Sequence, residues 1–219
     1  MIEVEVKLKI KDTISLEKNL LVQGYILKET LRETDTYFDG GINGIKKSGQ
    51  ALRVRRTVDS STGKECSKIT FKGEKLDTVS MARLELETGV ENGDTAERIL
   101  CALGFMPVRP VVVKNRKILR NEDISVCLDD VQCLGAFLEI EIMVESEENR
   151  TAALSRIEKI IESIGYTMAD TTRMSYLSQL QNKAKETQRS CLGADKARTA
   201  AGNPYQYSDC REHGKSSEG

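Results

Sequence analysis

Residues 1–10, MIEVEVKLKI, decide the fold. Ile2, Val4, Val6, Leu8 and Ile10 alternate there with Glu3, Glu5, Lys7 and Lys9. Period two is the mark of a strand with one apolar face. With that face on a core, Glu3, Glu5 and Lys7 stand in one row, about 7 Å between successive members. Two carboxylates in a row can share a divalent cation, and the ammonium beside them can hold an anion that the cation brings. Taken alone, the segment also reads as a half-exposed strand with a solvated charged face, the commoner case in antiparallel sheets.

The pattern recurs along the chain. ALRVRR (51–56) sets Leu52 and Val54 against Arg53 and Arg55, and SKITFKG (67–73) sets Ile69 and Phe71 against Lys68, Thr70 and Lys72. SMARLELE (80–87) opposes Leu84 and Leu86 to Arg83, Glu85 and Glu87. VVVKNRKIL (111–119), past Pro107 and Pro110, shows Lys114 and Arg116 on one face, and ISVCLDDV (124–131) opposes Cys127 and Asp129 to Val126 and Leu128. FLEIEIMV (137–144) places Leu138, Ile140, Ile142 and Val144 opposite Glu139 and Glu141. TDTYFD (34–39) is a further strand, followed by a flexible loop at Gly40, Gly41, Asn43 and Gly44.

Helices fall between these strands. Asp12 or Thr13 caps one that carries Leu16, Leu20 and Leu21 and closes at Gly24. Asp94 with Glu97 makes a capping-box-like start for a second, bearing Ala96, Ile99, Leu100 and Leu103. Ser146 opens a third through Leu154, Ile157, Ile161 and Ile164, and TTRMSYLSQL (171–180) is a last amphipathic piece in which Tyr176 reads as a packing residue. From about Lys183 apolar residues become rare. The organisation is therefore a domain over 1–182 and a polar tail over 183–219, expected to be disordered.

Composition narrows the classes. Hydrophobic residues at 39% support a core, and 31% charged residues at a net charge of −1 leave no basic excess for nucleic acid. No stretch approaches the ~20 apolar residues that span a bilayer, and no leader pattern opens the chain, so a soluble cytoplasmic protein is expected. The six cysteines include no C-x-x-C pair, and His213, the single histidine, sits in the tail, which gives zinc little support. Cys101 and Cys127 read as small core residues.

A flat sheet with a wet face would explain alternation, but it would not call for Arg and Lys rows interleaved with Glu pairs. An α+β fold explains both: an antiparallel eight-stranded closed β-barrel, a tunnel with an ionic interior, with helices packed on the outside. Buried charges are costly unless they are paired or hold a ligand. The ligand that suits both signs is a polyphosphate with a divalent metal, carboxylates taking Mg2+ or Mn2+ and the cationic groups taking phosphate oxygens.

These residues resemble the CYTH superfamily, the triphosphate tunnel metalloenzymes, which includes class IV adenylyl cyclases and thiamine or inorganic triphosphatases. Its E-x-E-x-K signature is met by Glu3, Glu5 and Lys7, and the likeness continues in order through LRVRR, TFKG, RLELE, VKNR, LDDV and FLEIE. The segments LDDVQCLGAFLEIEI and TTRMSYL resemble the class IV cyclase-like branch. The resemblance implies metal binding by Glu3, Glu5, Glu139 and Glu141, with Glu85 and Glu87 as further acidic lining. It implies substrate binding by Lys7, Arg53, Arg55, Lys72, Lys114 and Arg116, with Asp129 as a polar wall. Arg83 and Lys68 are ligands or pairing partners. Glu3, Glu5, Lys7 and Glu141 are the implied catalytic group. The implied reaction is ATP to cyclic AMP and pyrophosphate, the alternatives being triphosphate hydrolysis in the same tunnel and non-catalytic polyphosphate or nucleotide binding. Whether the chain forms a homodimer stays open at this level.

Overall fold

The structure, a computed structural model, describes residues 2–40, 44–74 and 83–200, with 189–200 as backbone alone. Eight strands form the barrel: β1 (Ile2–Lys9), β2 (Ile26–Gly40), β3 (Ala51–Asp59), β4 (Glu65–Lys72), β5 (Arg83–Val90), β6 (Phe105–Asn121), β7 (Ile124–Val131) and β8 (Gly135–Val144). They close, antiparallel throughout, in the order β1-β5-β4-β3-β2-β6-β7-β8. Helices α1 (Thr13–Val22), α2 (Gly93–Ala102), α3 (Arg150–Ser163) and α4 (Tyr176–Ala200) complete the chain. The α+β barrel expected from the alternating strands is the fold observed. The chain divides into two compact units, Met1–Gln181, which holds the barrel, and Asn182–Gly219, described only as the remainder of α4.

The usual polarity of a small barrel is inverted, and the reason lies in strand parity. Val4, Val6 and Leu8 of β1 face out with Leu138, Ile140 and Ile142 of β8, and α1 and α3 cover them with Leu16, Leu20, Ile157 and Ile161. On the other side α2 sets Ala96 and Leu100 on Phe38, Leu52 and Val54. The same alternation then turns the intervening charged residues inward. β1 pairs with β8 from Ile2↔Val144 to Lys9↔Phe137, so Glu5 stands across from Glu141 and Lys7 from Glu139 on the inner face. The start of α4 packs Tyr176 and Leu180 against Val112, Val131 and Phe137.

Several elements differ from the sequence reading. β2 begins at Ile26, not near Thr34, because it pairs along its length with the long β6, with Lys28, Glu29 and Arg32 exposed there and Glu33 turned inward. β6 starts at Phe105 and carries Pro107, in register with Phe38, and Pro110; the register jumps from Asp35↔Val112 to Tyr37↔Val108, a bulge that takes Pro110 out of the regular ladder. The cap of α2 is Asn92, whose side chain accepts from Thr95 N at 2.8 Å, while Asp94 and Glu97 bind Arg56. Only one narrow stripe of α2 is buried, so Ile99, Leu103 and Cys101 are exposed and Cys101 is no core residue. Ser146 precedes a 3-10 turn, Glu147–Asn149, and α3 starts at Arg150. Residues 183–200, rich in Lys, Ala, Glu, Gln and Arg, continue α4 as good helix formers do. The expected loop residues 41–43, strand residues 80–82 and tail residues 201–219 lie outside the described residues.

Among the described residues no helix covers the outer face of β5, where Leu84 and Leu86 are 46% and 58% exposed while Ile157 is fully buried. Ile157→Ala should lower the unfolding free energy by about 2–5 kcal/mol, whereas Leu86→Ala should stay within about 0.5 kcal/mol of wild type. Urea denaturation of the three proteins measures both.

Candidate active site

The barrel encloses a cavity of about 520 Å³. β1 contributes Glu3, Glu5 and Lys7; β3 contributes Arg53 and Arg55; β4 contributes Lys68, Thr70 and Lys72. Arg83, Glu85 and Glu87 come from β5, Lys114 and Arg116 from β6, Glu139 and Glu141 from β8, and Tyr176 from α4. Asp129 of β7, the remaining residue singled out from sequence, is buried behind Lys114 and Arg116 and bonds both.

Inside, nearly every base meets an acid. Arg55 grips Asp35 bidentately, Nε to Oδ1 at 2.6 Å and Nη2 to Oδ2 at 2.8 Å, and Arg53 Nη1 donates to the same carboxylate at 3.4 Å. Lys114 Nζ and Arg116 Nε donate to Asp129 at 2.8 and 2.6 Å. Arg116 also bonds Glu139, which receives Lys7 Nζ at 2.8 Å. Lys72 Nζ lies 2.7 Å from Glu3 and 3.0 Å from Glu85. Lys68 pairs with Glu87 at 2.7 Å on the more open side, which makes it a pairing partner here.

Burial and pairing compete in setting protonation. Burial opposes ionisation of Asp35, but Arg55 and Arg53 outweigh it and hold the carboxyl far below its usual range. Burial would also lower the Lys7 ammonium, but Glu139 and Glu5 outweigh it and keep it charged. Glu141 goes the other way: burial, then the negative charge of Glu3, pushes its carboxyl up to about 8. Burial, reinforced by Glu85, likewise raises Glu3 despite Lys72.

Those two raised acids belong to one cluster. Carboxylate oxygens of Glu3, Glu5 and Glu141 lie within 4.8 Å of one another. Glu5 Oε1 is buried and accepts no well-aligned hydrogen bond, although Lys7 Nζ is 3.3 Å away. Crowded carboxylates, among them a Glu141 carboxyl that keeps its proton up to about pH 8, with a buried oxygen lone pair to spare, are a donor set that fits a hard divalent cation. The other acids named from sequence stand apart: Glu139 bridges Lys7 and Arg116, and Glu85 and Glu87 answer Lys72 and Lys68.

The closed barrel has counterparts among known proteins. The CYTH domain model matches residues 1–176. The chain belongs to the CYTH family. A protein of Methanocaldococcus jannaschii named "Putative adenylate cyclase" is 32% identical over 177 residues, which cover 81% of this chain and 97% of that one. The PH1819 protein from Pyrococcus horikoshii superposes with a TM-score of 0.75 at 30% identity, covering 83% of this chain and 99% of that one. At 17% identity and a TM-score of 0.56, the Hippeastrum protein HpAC1, described as a "putative adenylyl cyclase" that reveals a dominant triphosphatase activity, shares the fold, with 83% and 95% coverage.

Sequence reasoning missed three parts of this CYTH site. Glu33 and Asp35 are buried opposite the arginines of β3; Glu33 precedes the strand expected at 34–39, and Asp35 lies within it, where the alternation of Glu33, Asp35 and Tyr37 is the signal that marks both. Tyr176, read as packing alone, also faces the charges: its hydroxyl donates to Asp129 at 2.9 Å, and the Lys7 ammonium sits 4.3 Å from its ring centre. Cys127 is buried as expected, but on the tunnel side beside Glu141, and burial pushes its thiol well up.

Asp35→Asn leaves Arg53 and Arg55 short of their shared counter-charge and should cost about 3–5 kcal/mol at neutral pH. Because the folded-state pKa of Asp35 is depressed, that contribution is complete above the unfolded-state value, 3.8, and is lost as pH falls from there toward the folded-state value. Urea melts of wild type and variant at pH 7 and below pH 4 should show a gap that narrows with acid.

Proposed function

We propose that the protein is a divalent-metal-dependent enzyme acting on a triphosphate, with adenylyl cyclase-type ring closure on ATP as its reaction. The observation that carries this reading is the placement of the Glu3, Glu5 and Glu141 cluster in the same cavity as a row of buried guanidinium and ammonium groups. Mg2+ or Mn2+ held by the three carboxylates would withdraw electron density from the phosphoryl oxygens and offset their charge. Lys7, Arg53, Arg55, Lys72, Lys114 and Arg116 would take the oxygens of the chain of phosphates, exchanging part of their bonding to Asp35, Asp129, Glu139 and Glu85 for the ligand. Arg83 would add a further positive charge at the cavity wall. In the cyclase reaction the ribose 3′ hydroxyl would give up its proton to water as its oxygen bonds to the α-phosphorus and the bridge to the β-phosphate breaks, and pyrophosphate leaves with the added negative charge. Fixed cations around the leaving group favour that step without reorganisation.

Hydrolysis is the second reading, since the same bases would hold tripolyphosphate while water attacks its terminal phosphorus. The ionic cavity itself contains nothing that demands a nucleoside.

Three measurements test the proposal. Incubation with ATP, tripolyphosphate or thiamine triphosphate in Mg2+ or Mn2+, followed by chromatography, should yield cyclic AMP and pyrophosphate from ATP. Orthophosphate from tripolyphosphate with no cyclic product would establish the hydrolase instead. Glu3→Gln and Glu5→Gln should each lower turnover by at least tenfold, and a pure binder would show no turnover to lose. Metal entry must also displace the proton that Glu141 keeps up to about pH 8. Mn2+ affinity should therefore rise between pH 6.5 and 8, with proton release visible by calorimetry in buffers of different ionisation enthalpy.

A further inference from the structure

Three cations of the tunnel converge on one aromatic side chain. Tyr176, the first residue of α4, is 5% exposed, and its hydroxyl donates to Asp129 Oδ2 at 2.9 Å. That oxygen also accepts from Lys114 Nζ at 2.8 Å and Arg116 Nη2 at 2.6 Å, so three donors share it. Two ammonium groups lie over the ring of the same tyrosine, Lys7 Nζ at 4.3 Å and Lys114 Nζ at 5.2 Å from its centre.

The ring is held firmly in this place. Phe137 meets it edge-on, with centroids 5.0 Å apart and planes at 68°, and Val112, Val131 and Leu180 belong to the same apolar cluster. Ser175 fixes where α4 begins, its Oγ accepting from Ser178 N at 3.2 Å. Burial, with the charges of Glu139 and Asp129, holds the phenol far above its ordinary range, so the hydroxyl keeps its proton and stays a donor at neutral pH.

The hydroxyl and the ring have separate tasks. An anion entering the tunnel must draw Lys114 and Arg116 part of the way off Asp129, a carboxylate that is 1% exposed and loses heavily with each donor that leaves. The tyrosine hydroxyl does not turn to the ligand. It stays on Asp129 and weakens the hold of that carboxylate on the two cations. The ring acts on a different pair. Lys7 comes from β1 and Lys114 from β6, and two ammonium groups that face one ligand repel each other. The electron-rich face of one ring attracts both and keeps them together before an anion arrives.

We infer that Tyr176 is a positioning residue for the phosphate chain: its hydroxyl restrains Asp129 while its ring gathers Lys7 and Lys114, so that these ammonium groups and Arg116 are offered to the ligand as one set. The inference rests on the triphosphate-binding role of the tunnel proposed above, and it makes the start of α4 part of the site without requiring contact between Tyr176 and substrate.

The test compares wild type, Tyr176→Phe, Tyr176→Leu and Leu180→Ala. Leu180 shares the apolar cluster of Tyr176 but does not line the ionic cavity, so its truncation reports packing alone. Calorimetry with tripolyphosphate in Mg2+ gives the dissociation constants, and melting without ligand gives stability. Tyr176→Phe keeps the ring and loses the hydroxyl, and should weaken tripolyphosphate by about tenfold. Tyr176→Leu loses both and should weaken it further, to about a hundredfold. Leu180→Ala should lower the melting temperature at least as far as Tyr176→Phe does and leave the affinity within about twofold of wild type. Mn2+ affinity in the absence of phosphate should be the same in wild type and Tyr176→Phe, because the lost hydroxyl bonds none of Glu3, Glu5 and Glu141. If Tyr176→Leu does not fold, judged by circular dichroism, the comparison of Tyr176→Phe with Leu180→Ala decides. Wild-type affinity in Tyr176→Phe, or an equal loss in Leu180→Ala, would make Tyr176 a packing residue and overturn the inference while leaving the tunnel proposal standing. Failure of wild type to bind tripolyphosphate would instead remove the tunnel proposal and this inference with it.

Discussion

A charge buried without a partner costs several kcal/mol, and this barrel turns Glu3, Glu5, Lys7, Asp35, Arg53, Lys114, Arg116, Asp129 and Glu139 inward, all of them buried. The structure tolerates this because the charges sit on facing strands in matched rows. Lys7 meets Glu139, Arg55 meets Asp35, Arg116 meets Asp129 and Lys72 meets Glu3. Register is what makes the matches possible: a slip of one residue in β1 against β8 would move Lys7 to the apolar face and leave Glu139 facing a valine or leucine. The outer hydrophobic clusters and the inner ion pairs therefore enforce the same alignment, and neither could persist with the other out of register.

The compensation is uneven, and the unevenness is where chemistry becomes available. Around Asp35 and Asp129 the arginines dominate, and those carboxylates are held ionised against the effect of burial. Around Glu141 acids outnumber bases, and the carboxyl retains its proton to about pH 8. One interior thus holds a region rich in paired cations and a region of crowded acids. A divalent cation bound to a polyanion is complementary to both, replacing protons at the acids and relieving the cations of their internal partners.

Much of this was legible from residue order because both periodicities were strong. The alternation in MIEVEVKLKI, ALRVRR and FLEIEIMV fixes which side chains share a face, and those faces are the observed ones. What escaped depended on contacts distant in sequence. Glu33 lay beyond the assumed end of a strand whose true length is set by pairing with β6. Tyr176 joins Asp129 and Lys7 because α4 returns to the barrel, and helical spacing alone does not distinguish a packing ring from one that carries a hydroxyl into an ionic site. The exposed Leu84 and Leu86 were equally unreadable, since alternation states which face is apolar but not whether a helix reaches it.

The most direct test of the account is the melting temperature of the purified protein with tripolyphosphate, Mg2+, both and neither. A ligand that binds only the folded state at a hundred times its dissociation constant stabilises by about 2.7 kcal/mol. The account predicts that both together raise the melting temperature by more than the sum of the separate shifts, because the cation and the anion complete each other's sites. An unchanged melting temperature with both present would contradict it and leave the ion pairs of the interior a purely structural lattice.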